Sequence, residues 1–389
     1  MPDFFQSTNR RRQKLVKQLP EAPVPLSDGT VEGPEAARFP TVANIIKTRE
    51  QLQRALVAAL QLELATIPPY MCGLYSIHDG TNVEAARLIR SVLVEEMLHM
   101  LLVANLLNAI SRPAEIDALL TVEQLMADYP ARLPSNIAPD QPTPFLVHLL
   151  PFSEEAIFEF LTIERPADPN APLRNDGAFR SIGQFYQSIR YGFEHLAQPG
   201  NLFVGEESRQ ITPEHYYGSG GDIVVVTRLE DANLAIEEIV GQGEGIDGTI
   251  LDPDSTLFGQ GIEYAHYFKF QEIRCGRLYQ ANDTNQQAPT KSIPTGTPFE
   301  VSYSTAHPMK CDPKVSDYEH DKDLMRIAIE FNRLYTRLIS TICDAARGKP
   351  CVLRQAIPVM HELRERAKVL MNVRLRDGSR AGPTFEYTA

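Results

Sequence analysis

The sequence has little cysteine, and the cysteines present are not grouped. Its 389 residues contain five, spread over most of the chain without a C-x-x-C pair: Cys72, Cys275, Cys311, Cys343 and Cys351. An odd, scattered set argues against a disulfide framework and against a zinc site built from thiolates. We therefore expect reduced thiols that are partly buried.

Long apolar runs and basic stripes are also missing. No stretch approaches 18 uninterrupted apolar residues, which argues against a membrane span. The net charge is −12, and the one basic cluster lies between Arg10 and Lys17. Nucleic acid selects for clustered Lys and Arg, so it is not an expected partner. Arg10 and Arg11 precede no apolar signal segment, and we therefore expect a cytoplasmic protein.

Proline-rich segments divide the chain into three predicted parts. Residues 1–44 form a flexible arm, because its prolines leave no room for a regular helix. Residues 45–278 carry long amphipathic helices that we expect to form a metal-binding bundle with insertions. Residues 279–389 add two amphipathic helices, predicted to pack on the bundle as an extension.

Helical periodicity predicts a mainly α protein. Apolar positions recur at helical spacing, and Asn82 resembles an N-cap. The predicted helices are about 48–67, resuming to 78, then 83–110, 154–163, 179–197, 229–242, 258–275, 319–347 and 352–371. A β-branched run at 222–227 predicts a short strand. The long, proline-punctuated excursion over residues 111–176 is what a crossover between two helix pairs requires.

Two Glu-x-x-His motifs carry the predicted chemistry: Glu96 with His99, and Glu263 with His266. Residues three apart lie on one face of a helix, so both side chains of each motif can reach one metal ion. A dinuclear carboxylate site in a four-helix bundle uses two such motifs and one further Glu from each remaining helix. For His99 alone, a satisfied core histidine would be the simpler interpretation.

Glu63 is the predicted carboxylate of the first helix. It is the only acidic residue between Gln51 and Asp79, and its neighbours are apolar. An ionised carboxylate among apolar side chains is costly unless it is paired or binds a metal. A buried salt bridge is the alternative to metal ligation.

The last carboxylate is not settled by spacing. Glu237, Glu238 and Glu244 are candidates in the helix before His266, and Glu194 is a more distant one. We favour Glu244, because Gly243 and Gly245 allow close approach of other groups. Two interpretations of Glu95 stay open: it lies behind the ligands and orients His99 or His266 through the other ring nitrogen, or it is solvated.

The predicted ligands are therefore four carboxylates and two imidazoles without sulfur. Such a set suits iron or manganese better than zinc or copper. The complete predicted set is Glu63, Glu96, His99, Glu244, Glu263 and His266.

Several segments resemble a known family. They are Glu63–Tyr70, Glu95–His99, Ser181–Tyr186, Ile239–Gly245, His266–Phe270 and Ala381–Glu386. From about residue 45 to its end, the chain is similar to the ferritin-like family that includes the iminophenylpyruvate dimer synthase domain of bisindole pathways. The resemblance implies a ferritin-like four-helix bundle with a long crossover excursion and extra C-terminal helices. It also implies oxidative chemistry on amino-acid-derived imines, and it leaves haem open as another form of iron.

Three functional hypotheses follow. The first is a non-haem oxidase or oxygenase of specialised metabolism with two metal ions, whose partners are a small-molecule substrate and O₂ or peroxide. The second is a non-catalytic metal-binding protein that handles iron or serves as a scaffold; whether the chain forms a homo-oligomer stays open. The third, a hydrolase, is disfavoured because no nucleophile motif such as G-x-S-x-G is present.

Overall fold

The computed structural model describes most of the chain. The described residues are 46–133, 137, 145–166, 172, 178–197, 201–216, 220–245, 249–252, 263–280, 283 and 292–388. The arm predicted for residues 1–44 lies outside them.

The described residues contain ten α-helices and two short β-strands. The helices are α1 Arg49–Ser76, α2 Val83–Ala109, α3 Pro113–Leu119, α4 Val122–Leu125, α5 Glu154–Ile163, α6 Ile182–Ala197, α7 Leu229–Glu244, α8 His266–Cys275, α9 Lys322–Ala346 and α10 Ala356–Met371. Strands β1 (Ala131–Arg132) and β2 (Leu146–Val147) pair antiparallel, with Ala131 opposite Val147. Short 3₁₀ helices lie at Glu207–Arg209, Tyr303–Thr305, Val315–Tyr318 and Pro350–Gln355.

Helix α1 begins with a capping box and runs through two prolines. The Thr48 side chain accepts a hydrogen bond from the backbone of Gln51, and the Gln51 side chain accepts one from Thr48. Pro68 and Pro69 do not end the helix, as the sequence had suggested they could. Pro69 cannot donate to the Ala65 carbonyl, but the Tyr129 hydroxyl donates to that carbonyl at 2.8 Å. Tertiary contacts therefore replace the missing helical bond.

Four helical columns make up the bundle: α1 is the first, α2 is the second, α5 and α6 form the third, and α7 and α8 form the fourth. Helices α1 and α2 pack together over most of their length. Helices α5 and α6 both pack on α1, and α7 and α8 both pack on α2. The columns also contact each other, α5 with α8 and α6 with α7. The predicted crossover excursion thus supplies α5, which is part of the bundle.

The C-terminal residues cover one side of the bundle. Helix α10 packs on α1, and α9 packs on α2 and α4. Asn82, at the N-cap of α2, has a left-handed φ of 45°, and its side chain makes no capping bond. Its amide instead bonds to Ser302 and Thr305. The predicted N-cap therefore ties α2 to the segment that precedes α9.

Two predicted elements differ in the structure. Residues 222–227 are not a strand. The Asn105 side chain on α2 donates a hydrogen bond to Val224 O, and the Gln210 side-chain amide bonds both the carbonyl and the N–H of Val226. Side chains therefore satisfy this backbone in place of a neighbouring strand. The helix predicted from residue 258 begins at His266, and residues 258–262 lie outside the described part.

Helices α1 and α2 are long and apolar enough to cross a membrane by length and composition. Their most apolar windows are 100% and 89% buried inside the protein, as core helices of a bundle are.

Candidate metal centre

Buried carboxylates and imidazoles converge where α5 and α7 end and α6 and α8 begin. Two groups of ligand atoms each lie within 4.8 Å of one another: Glu63, Glu96 and His99 form the first, and Glu96, Glu164 and His266 form the second. All five residues are 4% exposed or less. Glu96 belongs to both groups, so the two potential metal positions share one carboxylate.

The first group connects α1 with α2. His99 Nδ1 lies 3.6 Å from Glu63 Oε2 and 3.9 Å from Glu96 Oε2. The Tyr186 hydroxyl, from the second turn of α6, donates to Glu63, and Thr66 Oγ1 donates to Glu96 Oε2 at 3.1 Å. Tyr186 thus holds Glu63 through the oxygen that faces away from His99, whereas Thr66 contacts the Glu96 oxygen that faces His99.

The second group connects α2 with the C-cap of α5 and the first residue of α8. His266 Nδ1 lies 2.9 Å from Glu96 Oε1 and 3.5 Å from Glu164 Oε2. The Tyr70 hydroxyl donates to Glu164 Oε1. Glu96 therefore presents Oε2 to the first group and Oε1 to the second.

Both imidazoles direct Nδ1 towards the carboxylates because their Nε2 atoms are hydrogen-bonded elsewhere. His99 Nε2 lies 2.8 Å from Gln242 Oε1, and the Gln242 amide nitrogen donates to Gly220 O, so His99 Nε2 is the donor. His266 Nε2 lies 2.8 Å from Glu95 Oε2. Metal-binding histidines characteristically donate their other N–H to such an acceptor.

His266 Nδ1 tests whether a cation fits this place. The atom is buried, and its 2.9 Å contact with Glu96 Oε1 lacks hydrogen-bond geometry, so it has no hydrogen-bond partner among the described residues. Without a metal ion, only a proton on this nitrogen would offset the two facing carboxylates, and a bound cation would take that place. The carboxylate and imidazole donors are those that iron and manganese accept. The five residues therefore fit a pair of such ions.

The pKa shifts show an excess of negative charge at the shared carboxylate. Burial raises the pKa of Glu96 well above its usual value, and the Glu164 and Glu63 carboxylates add to that shift. Burial alone would raise the pKa of Glu63, but the nearby His99 imidazole lowers it. Burial alone would lower the pKa of His266, but the surrounding Glu164, Glu95 and Glu96 raise it.

Lys269 lies behind the second group and is 1% exposed. Its Nζ is 2.7 and 2.6 Å from the two oxygens of Glu95, 3.4 Å from Glu263 and 3.7 Å from Asp252. The attraction of Lys269, followed by that of His266, overcomes the effect of burial and lowers the pKa of Glu95. An ionised Glu95 then accepts the His266 Nε2–H bond.

The structure groups four of the six predicted ligands, and it leaves Glu263 outside. Glu263 precedes α8, and its carbonyl accepts the Asp252 N–H next to the bridge between Leu251 and Tyr264, so the helical i, i+3 geometry assumed for it does not apply. Its carboxylate contacts Lys269 instead of the convergent atoms. The structure thus places Glu263 in the charge network behind His266 and in neither ligand group.

Glu244 is the other predicted ligand that belongs to neither group. Its Oε1 accepts the Gly183 backbone N–H at 2.8 Å, and a Cβ on Gly183 would lie 2.4 Å from Glu244 Oε2. Glu244 thus accepts a backbone hydrogen bond at the start of α6, and the lack of a side chain on Gly183 permits the close approach of the Glu244 carboxylate. The flanking glycine that does face the centre is Gly243, since a Cβ there would lie 3.9 Å from Glu164 Oε2.

The other candidates for the last carboxylate are also placed away from the two groups. Glu237 pairs with Arg190 at 2.6 Å, and Glu238 is 3.3 Å from the Gln242 amide. Glu194, on α6, is part of neither group.

Glu164 takes the place predicted for the last carboxylate, and sequence reasoning missed it. It lies in the excursion that was interpreted as a connection, without a histidine at helical spacing. The available signal was a carboxylate directly after the apolar run Phe160–Ile163, the same argument that singled out Glu63.

Helical columns around a buried carboxylate and histidine cluster define a ferritin-like protein. A family model described as Ferritin-like matches residues 56–275, and the chain belongs to that family. It is 25% identical to dichlorochromopyrrolate synthase of Lentzea aerocolonigenes, over 88% of this chain and 36% of that protein. It is 26% identical to 2-imino-3-(indol-3-yl)propanoate dimerase of Chromobacterium violaceum, over 64% of this chain and 26% of that protein.

The chain thus spans about a third or less of the length of these two relatives. A crystal structure of a ferritin-like protein from Caulobacter vibrioides matches the fold with a TM-score of 0.56. It is 21% identical and covers 88% of this chain and all of the other. The predicted fold class and family are confirmed, and the two curated relatives are enzymes by name.

Proposed function

We propose that this chain is a non-haem oxidoreductase with two iron or manganese ions that acts on a small amino-acid-derived imine. The observation that carries the proposal is the position of Glu96, whose two oxygens face separate histidines. Glu63, Glu96 and His99 would hold one ion, and Glu96, Glu164 and His266 would hold the other. A storage bundle without a substrate is the competing function.

The atoms that face the two histidines distinguish a pair of metal ions from a haem group. The atoms around both Nδ1 positions are carboxylate oxygens from Glu63, Glu96 and Glu164. Hard oxygen donors favour iron or manganese ions over a porphyrin, whose faces are apolar. The ligand set therefore supports the non-haem alternative.

The relatives' names supply the reaction class. One relative is named as a dimerase of an imino acid. Joining two imine units removes two electrons and two protons, which O₂ would accept to give peroxide or peroxide would accept to give water. The bound ions would supply this electron transfer and oxidant activation.

The protein's own residues would control geometry and water. Glu95 and Gln242 fix the orientation of His266 and His99 through the Nε2 atoms. Tyr70 and Tyr186 donate to the outer oxygens of Glu164 and Glu63. The burial of these groups excludes solvent, which strengthens every charge interaction inside the centre.

The test is metal analysis combined with oxygen uptake. Protein expressed with added iron or manganese should hold close to two ions per chain, and Glu96→Gln should lose most of both. Reduced wild-type protein should then consume O₂ in proportion to an added imine, formed from an aromatic 2-oxo acid and ammonia. Glu263→Gln is the matched control and should retain its metal.

Each outcome separates the alternatives. If the protein binds two ions but no added imine changes its O₂ uptake, the non-catalytic metal-binding protein would be favoured. Purified protein without a transition metal, after growth with both metals, would overturn the proposal altogether.

A further inference from the structure

A different set of ligand atoms converges just after β2. His148 directly follows β2, while Cys311 and Asp312 belong to the segment that leads to α9. His148 Nδ1 lies 2.6 Å from Asp312 Oδ2, and Cys311 Sγ lies 3.4 Å from the same oxygen. One ligand atom from each residue fits within a span of 4.8 Å. Two segments distant in sequence thus bring a nitrogen, a sulfur and an oxygen together.

Backbone bonds hold these two segments in register. Asp312 N–H donates to Leu149 O at 3.1 Å, and Leu149 N–H donates to Asp312 Oδ1 at 2.7 Å. Oδ1 is therefore occupied, and Oδ2 is the oxygen that faces His148 and Cys311. Asp312 has a left-handed φ of 45°, a conformation that aspartate adopts more readily than most non-glycine residues. The carboxylate is thus positioned before any ion binds.

The donor chemistry differs from that of the bundle centre. Imidazole, thiolate and carboxylate together are ligands typical of zinc, which bonds nitrogen at about 2.0 Å and sulfur at about 2.3 Å. The three ligand atoms lie close enough to share one ion, but His148 Nδ1 and Asp312 Oδ2 are now hydrogen-bonded at 2.6 Å, so zinc would replace that bond and move the two atoms apart. Cys311 is exposed and the His148 side chain is 36% exposed, so an ion can reach them from solvent.

We propose that His148, Cys311 and Asp312 form a zinc site, separate from the bundle centre and independent of the function proposed above. Zinc bound there would join the end of β2 to the segment before α9. It would thereby attach the C-terminal residues to the excursion that supplies α5. Three protein ligands leave a fourth position for water.

Cobalt(II) is the probe, because a thiolate ligand gives it a near-ultraviolet charge-transfer band. The full-length protein should develop this band on addition of cobalt(II), and zinc should abolish it. Cys311→Ser should lose the band, and His148→Gln should weaken binding while keeping the thiol. Cys275→Ser is the matched control, since Cys275 is also exposed but belongs to no ligand group among the described residues.

The results decide between a built site and an exposed thiol. The proposal is supported if zinc abolishes the wild-type band and Cys311→Ser lacks it. The band should also weaken in His148→Gln and persist in Cys275→Ser. No band in the wild type, a band that survives in Cys311→Ser, or equal binding in His148→Gln would overturn it. Neither result bears on oxygen uptake at the bundle centre, so this proposal and the proposed function fail independently.

Discussion

Replacing Lys269 with methionine tests the charge network behind His266. Methionine fills nearly the same volume as the lysine stem, so the change mainly removes the ammonium group. In the wild type that group lies 2.6 Å from one Glu95 oxygen and within 4 Å of Glu263 and Asp252. The substitution leaves these buried carboxylates without their cation.

The expected cost is large because the pair is buried. Removing one partner of a buried ion pair costs about 3–5 kcal/mol, since the other charge remains without compensation. At roughly 2 °C per kcal/mol for a large domain, Lys269→Met should lower the melting temperature by about 6–10 °C. Glu95 would also bind a proton more readily, which weakens its hold on His266 and so the affinity for metal.

Thermal unfolding followed by circular dichroism measures the effect, with Lys368→Met as the control. Lys368 bonds Asp79 at 2.8 and 2.9 Å, but the pair lies at the surface, where solvent screens it, so little change is expected. The double variant Lys269→Met/Glu95→Gln should lose less than the sum of the two single changes, because the unpaired charge is gone. If Lys269→Met melts no lower than Lys368→Met, the reasoning about this network is wrong.

Three further predictions concern the ligands and the pH dependence. Glu164→Gln should lower the bound metal measured by elemental analysis, whereas Glu244→Gln should not; the reverse would restore the sequence-based assignment. Gln242→Leu removes the acceptor of His99 Nε2 and should weaken metal binding about 10–100-fold in a chelator competition, while an unchanged affinity would contradict the role of Gln242. Burial raises the pKa of Glu272 to about 8, so its folded form holds the proton more tightly than the unfolded chain does. Its stabilising effect is complete below the unfolded pKa of 4.5 and is lost as pH rises towards 8, by at most about 1.4 kcal/mol per pH unit. Glu272→Gln should therefore melt higher than the wild type at pH 8 but not at pH 5, and equal melting curves at both would contradict the shift.

Local sequence was sufficient for most of the helices and for the first ligand group, Glu63, Glu96 and His99. Glu96 and His99 lie on one uninterrupted helix, so their spacing alone places both on the same face. Glu63 was identifiable because a lone carboxylate in an apolar helix requires a partner. The bounds of α5 agree with the predicted helix, since capping and periodicity are properties of adjacent residues.

Only the tertiary structure decided the rest of the centre. Glu263 has the same spacing to His266 as Glu96 has to His99, but it lies before the start of α8, so identical spacing leads to a different position. Glu164 becomes a candidate ligand because α5 ends where α8 begins, and no local pattern encodes that meeting of two helix ends. Lys269 could not be assigned from sequence for the same reason. The sequence by itself determined which residues share a helix face, because that depends on neighbours along the chain; the packing of separate helices determined which charges meet.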